Sequence, residues 1–288
     1  MDAPNPSSIV TFANRTPLRI GAVGLKARDL SKLADFYSGA IGLNVIDRDS
    51  KTARLGAGGV TLLVLEAAPN ALPDDPRTAG LFHTAFLQPT RADLARWLVH
   101  AANTRVPLSG ASDHLVSEAI YLDDPEGNGI EVYRDRLPEE WRWSGDRIQM
   151  ATDRLDLDNL AADAGNIAYA GAPEGLRIGH IHLRVGDLAP TQQFYGTIGM
   201  MPTAGRGGAL FMSSGRYHHH IGGNVWQSAG AGMRDDDRAG LSWFAIEAAD
   251  ATTRSDAVAR LKGAGIPVSG SAEGSQVRDP FGTRVRFG

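Results

Sequence analysis

Arg177-Ile178-Gly179-His180-Ile181-His182-Leu183-Arg184 is matched by Arg19-Ile20-Gly21-Ala22-Val23-Gly24-Leu25-Lys26, and the match decides how the rest of the chain is read. It continues in constant register through Asp29-Leu30 against Asp187-Leu188 and Phe36-Tyr37 against Phe194-Tyr195. A second pair follows each: Gly80-Leu81-Phe82-His83-Thr84-Ala85-Phe86 against Gly240-Leu241-Ser242-Trp243-Phe244-Ala245-Ile246, and Asp124-Pro125-Glu126-Gly127 against Asp279-Pro280-Phe281-Gly282. The chain is thus two copies of a two-part unit, an internal repeat that must be found before any motif is interpreted.

Periodicity gives each part the same outline. Ile181, Leu183 and Val185 alternate as in a strand, Asp187 is placed to cap a helix, and Phe194 and Tyr195 lie on that helix's apolar face. Strands resume at 119–122 and 130–133 around the turn-forming run Asp124-Pro125-Glu126-Gly127-Asn128-Gly129. The expected fold class is α+β: four strand-helix-strand-strand-strand modules, two in residues 18–137 and two in 176–288. Residues 1–17 read as a loosely held tail, and 138–175 as a short helical connector with no visible chemistry.

Composition bounds the function. Of 288 residues, 42% are hydrophobic and 22% charged, which is ordinary for a globular protein, and a net charge of -4 gives no basic footprint for nucleic acid. Cysteine is absent, so any metal must bind through His, Asp or Glu. The N-terminus lacks the marks of a secretory signal and no run is long and apolar enough to span a bilayer, so a cytoplasmic protein without a membrane partner is expected. Arg234-Asp235-Asp236-Asp237-Arg238 reads as a solvated loop and Gly205-Arg206-Gly207-Gly208 as a turn.

The openings like Gly179-His180-Ile181-His182-Leu183 and the endings like Asp124-Pro125-Glu126-Gly127-Asn128-Gly129-Ile130-Glu131 resemble the vicinal oxygen chelate superfamily, which includes glyoxalase I, antibiotic-resistance proteins and extradiol ring-cleaving dioxygenases. Residues 110–121 and Tyr217-His218-His219-His220 are most similar to its catechol-2,3-dioxygenase-like branch. The resemblance implies that modules pair into half-open barrels, each able to cup a divalent metal. In the dioxygenases the ligands are a His on the first strand of one module, with a His on the first strand and a Glu on the last strand of its partner. Those positions hold Ala22 in module one, His83 and Glu131 in module two, His180 in module three, and Trp243 and Arg286 in module four. Consecutive pairing would leave both cups incomplete, whereas pairing module two with module three completes one set.

Two imidazoles and a carboxylate leave three octahedral positions open, which suits Fe(II), with Mn(II) the runner-up. The resemblance implies an extradiol dioxygenase that takes a catechol-like aromatic diol and O2. A glyoxalase-type lyase or isomerase, or a non-catalytic binding protein, stays open as an alternative. Singly, His83 or His180 reads equally well as a structural histidine; Glu131, between Ile130 and Val132, would be costly to bury without a cation. His218, His219 and His220 are expected on a strand that turns His218 and His220 to one face and His219 to the other. By resemblance, His220 is the expected acid or base, narrowly over His219, and His218 and His219 are expected to contact substrate. Tyr121 and His114 are expected beside it, since a hairpin would bring Tyr121 to Glu131. Exposed sheet edges make a homodimer the expected assembly.

Overall fold

The computed structural model describes residues 11–270 and 274–288. The first ten residues of the expected tail therefore lie outside the described residues. Module one comprises β1 (Leu18–Ala27), α1 (Leu30–Phe36), β2 (Asn44–Arg48), β3 (Thr52–Ala57) and β4 (Val60–Ala67). Module two comprises β5 (Gly80–Leu87), α2 (Arg91–Asn103), β6 (Gly110–Asp113), β7 (Ser117–Asp123) and β8 (Gly129–Asp135). The connector holds β9 (Trp143–Ser144), β10 (Arg147–Ile148), β11 (Asp153–Arg154) and α3 (Leu157–Ala162). Module three runs through β12 (Arg177–Arg184), α4 (Leu188–Ile198), β13 (Met201–Arg206), β14 (Ala209–Ser213) and β15 (Ile221–Asn224). Module four has β16 (Gly240–Ala248), α5 (Ala251–Gly263), β17 (Gln276–Arg278) and β18 (Arg284–Phe287). The α+β class and the four modules are as the repeat predicts, except that among the described residues module four has two strands after its helix where three were expected.

The modules pair across the two halves of the chain. One nine-stranded sheet, in the order β11-β6-β7-β8-β5-β12-β15-β14-β13, joins modules two and three; a seven-stranded sheet, β17-β18-β16-β1-β4-β3-β2, joins modules four and one. At the centre of each sheet the two opening strands run antiparallel, β5 against β12 and β1 against β16. Each opening strand then has the closing strand of its own module parallel on its outer side.

Alternation explains which face does what. Ile181 and Leu183 of β12, Ile130 and Val132 of β8 and Val23 and Leu25 of β1 belong to one buried cluster shared by both sheets and all four long modules. Each such aliphatic side chain contributes about 1.5–3 kcal/mol on burial. The residues between them, His180, His182 and Glu131, are thereby turned to the opposite face. The helices start where the side chains can cap them: Asp29, Asp187 and Asp250 each accept a backbone N–H of the first turn.

The repeat also appears in the turns. Asp124 accepts the backbone N–H groups of Glu126 and Asn128, and Tyr37 of module one donates its hydroxyl to it at 3.1 Å. Asp279 does the same for Phe281 and Thr283, with Tyr195 of module three 3.1 Å away. Gly127 and Gly282, at φ 85° and 88°, supply the left-handed residue both turns need.

Three expectations about irregular segments change. Phe12–Arg15 form a helical turn rather than a loose tail, with Ala13 buried and Phe12 packed edge-on to Trp141 at 5.5 Å. The connector is only partly helical, and β11 adds to the edge of the nine-stranded sheet beside β6. The 234–238 loop is solvated at Asp235, Asp236 and Asp237 as expected, but Arg234 is not: its side chain is 7% exposed and faces Asp74, while Asp236 pairs with Arg278 and Arg284. Among the described residues no helix is long and apolar enough to cross a membrane.

Candidate metal centre and active site

The register brings three side chains that are distant in sequence to one point. His83 lies on β5, Glu131 on β8 and His180 on β12, the three adjacent strands at the middle of the nine-stranded sheet. His83 Nε2 is 3.1 Å from Glu131 Oε2, His180 Nε2 is 3.2 Å from the same oxygen, and the two nitrogens are 3.3 Å apart. Among the described residues this is the one group of three such side chains whose donor atoms all lie within 4.8 Å of one another.

The triangle fits a metal ion on its own terms. Ligand bonds of about 2.1 Å at right angles place neighbouring donor atoms about 3.0 Å apart, close to the spacings found. Three lone-pair-bearing atoms repel unless a proton or cation lies among them. Glu131 is 3% exposed and its only ion-pair partners among the described residues are these two imidazoles. Burial lowers His180 to about 4 against the pull of the Glu131 carboxylate. Burial alone would raise Glu131, but His180 and His83 outweigh it and hold its carboxyl well below the usual range. A neutral imidazole and an ionised carboxylate are the protonation states that bind a cation. The other ring nitrogen of His180, Nδ1, is buried with no hydrogen-bond partner, so its ring is oriented by packing: Tyr133 lies 4.9 Å away and His219 4.1 Å away.

A cavity of about 950 Å³ opens over the triad. Phe82, Phe211 and Trp226 give it an aromatic wall, and residues 147–152 of the connector form another side. The connector therefore contributes to the site, contrary to its expected silence. Tyr121 sits opposite Glu131 in the β7–β8 ladder, so the expected hairpin brings the two together. Its hydroxyl is 2.6 Å from His114 Nε2, while His114 Nδ1 is 2.6 Å from the carbonyl of Ala151 in the connector. Since that carbonyl only accepts, Nδ1 carries the proton and Tyr121 donates to Nε2. Burial, with the nearby Glu131 charge, pushes the Tyr121 phenol well above its ordinary value and keeps that donor protonated.

The three consecutive histidines are not placed as alternation predicts. They lie in an irregular segment before β15, so the two-residue period does not apply. His219 lines the cavity, stacked against His180. His220, the expected acid or base, is directed away from it: Nε2 lies 3.2 Å from the Ala13 carbonyl and 3.1 Å from Thr16 Oγ1, and Nδ1 accepts from the backbone of Ser214. Its partner is the very segment expected to be a loose tail. His218 is fully buried, 2.7 Å from Asp135, and does not line the cavity. His182, to which the sequence motifs assign no role, belongs to the site as well: two residues from His180 on β12, it shares the same face, lines the cavity and takes a hydrogen bond from Asn224 at 3.1 Å, a placement that strand alternation signals.

At the corresponding position of the seven-stranded sheet lies Trp243, which is buried. It lies over Gly24, where a Cβ would come within 2.3 Å of the indole. Its Nε1 donates to Glu66 at 2.7 Å, and the Arg286 guanidinium lies over the ring at 4.0 Å from its centroid.

A four-module chain with a buried His/Glu/His centre on paired opening strands defines a known class, and the comparisons agree. Residues 19–132 match the family model described as the Glyoxalase/Bleomycin resistance protein/Dioxygenase superfamily. Over 276 residues the chain is 35% identical to the catechol-2,3-dioxygenase of Bacillus subtilis (strain 168), covering 93% of this chain and 96% of that relative. Over 127 residues it is 28% identical to the biphenyl-2,3-diol 1,2-dioxygenase 3 of Rhodococcus globerulus, 42% of this chain and 67% of the relative. The crystal structure of glyoxalase I from Zea mays has a TM-score of 0.57 at 14% identity, covering 96% of this chain and 94% of that one, a likeness of fold. The chain belongs to the Glyoxalase/Bleomycin resistance protein/Dioxygenase superfamily.

Proposed function

We propose that the chain is an extradiol ring-cleaving dioxygenase acting on a catechol-like diol with O2. The observation that carries this reading is one cavity holding the His83–Glu131–His180 triangle, a Tyr121–His114 pair and the ring of His219 on its walls. His83, Glu131 and His180 would hold one divalent ion, with Fe(II) favoured and Mn(II) next, because nitrogen and oxygen donors suit both. When bound, the ion supplies positive charge that favours the ionised diol and a site where diol and O2 meet.

The chain's own residues do the rest. His219, not His220, takes the acid-base role, since of the three consecutive histidines it is the one that lines the cavity beside the triad. Tyr121, its hydroxyl engaged by His114, is positioned to hydrogen-bond a substrate oxygen. Phe82, Phe211 and Trp226 pack against the ring and exclude water, which strengthens each polar contact made inside. Oxygen uptake by the anaerobically iron-loaded protein on addition of catechols, with a yellow ring-opened product, is the expected result. Metal binding without oxygen uptake across a panel of unsubstituted, alkyl and aryl catechols would reject the dioxygenase reading.

A further inference from the structure

β8 carries Glu131, Tyr133 and Asp135 at a spacing of two, on one face. Glu131 belongs to the metal triangle, while Asp135 at the end of the strand reaches elsewhere. Its side chain is 13% exposed, and no arginine or lysine side chain pairs with it among the described residues. One oxygen accepts from His218 Nε2 at 2.7 Å and from the Tyr217 hydroxyl at 3.1 Å. Tyr217 is itself 2.8 Å from the Tyr133 hydroxyl, so the carboxylate is held from two sides. His218 Nδ1 then faces His219 Nδ1 at 2.8 Å.

Proton counting gives this chain its direction when the His218 ring carries a single proton. A carboxylate only accepts, so His218 Nε2 carries a hydrogen. Neutral His218 then has a bare Nδ1, and the single proton between the two imidazoles belongs to His219 Nδ1. His219 Nε2, across the ring from Nδ1, is left as a lone pair on the side of the cavity. The ring cannot turn freely, packed as it is between His180 and Phe211 at 4.1 Å and 4.9 Å.

We propose that Asp135 and His218 are positioning residues that, through two successive hydrogen bonds, fix His219 in the Nδ1–H tautomer with Nε2 open to accept a substrate hydroxyl proton. Only the last clause rests on the ring-cleavage reading. The hydrogen bonds that fix the tautomer exist whatever the substrate is. The arrangement also gives β8 two duties, since the strand that supplies a metal-binding carboxylate supplies, four residues on, the carboxylate that orients the base.

The test is a long-range proton–nitrogen correlation spectrum of the full chain labelled with 15N-histidine and loaded with zinc as a diamagnetic probe. His219 is expected protonated at Nδ1 and bare at Nε2. In Asp135→Ala His218 loses the acceptor that holds its proton on Nε2, and His219 is then expected to populate the Nε2–H form as well. With the iron-loaded protein, kcat for catechol should fall about 10²–10⁴-fold while KM stays within about threefold, and Asp135→Glu should recover part of the loss. An Nε2–H His219 in the wild type overturns the proposal, and needs no variant to fold; so does a tautomer unchanged by Asp135→Ala. If the tautomers behave as expected but no catechol is oxidised, the ring-cleavage reading falls and the positioning chain stands. Ring cleavage by a protein whose His219 is Nε2–H gives the converse.

Discussion

His220 shows how a histidine in a promising motif can be spent on structure. It is fully buried, and burial drives it down to about 3, with its Nε2–H donating to the Ala13 carbonyl. His180 is likewise lowered to about 4. Below the ordinary imidazole value of 6.5 the unfolded chain binds protons that these folded imidazoles refuse, so stability is complete above pH 6.5 and is lost as pH falls toward 3–4. Each such group should cost roughly 1.4 kcal/mol per pH unit across its window. Urea midpoints of the metal-free protein between pH 7 and 4 are expected to fall, with a shallower decline in His220→Gln; an identical slope in that variant would show that His220 titrates normally in the fold. The resemblance to the vicinal oxygen chelate superfamily, with strand alternation in support of Glu131, made His83, Glu131 and His180 legible in the sequence. Neither could separate His219 from His220, because the segment is irregular and the deciding contact comes from Ala13 and Thr16, some two hundred residues away in sequence.

Among the elements, β5, β8 and β12 carry the site, and their spacing is set by what lies between them. Gly129 opens β8, and a Cβ there would come within 2.1 Å of the Phe82 carbonyl, the residue before His83. Because that neighbour is backbone, the strands must part to admit a side chain. Gly129→Ala is expected to cost about 1–3 kcal/mol in urea unfolding and to weaken metal binding by separating Glu131 from His83. Unchanged metal affinity at reduced stability would show that the triangle tolerates movement of the strand pair. The strands and helices themselves were readable from periodicity and from Asp187, which caps α4, with its repeat match Asp29 at α1. The connector was not. Its role depends on β11 completing a sheet edge and on the Ala151 carbonyl fixing His114, pairings between segments that no local pattern records.

At the scale of the whole molecule, the centre exists only because modules from different halves of the chain share a sheet. The repeat alone allows either pairing; the surviving ligands favoured modules two and three, and the sheet order has that arrangement. Residues 18–137 carry His83 and Glu131, residues 176–288 carry His180, and each half also leaves one strand of the central β1–β16 and β5–β12 pairs without its partner. Expressed separately, the halves are expected to bind no metal tightly, and a one-to-one mixture to recover it; tight binding by the first half alone would argue that His180 is dispensable. The proposed activity rests on three side chains sharing one divalent ion. Anaerobic ferrous loading followed by metal quantification, for the wild type and Glu131→Ala side by side, tests this most directly. One iron per chain in the wild type, and about a tenth or less in a variant that keeps its far-ultraviolet circular dichroism, is the predicted result; equal stoichiometry in the two proteins would contradict it.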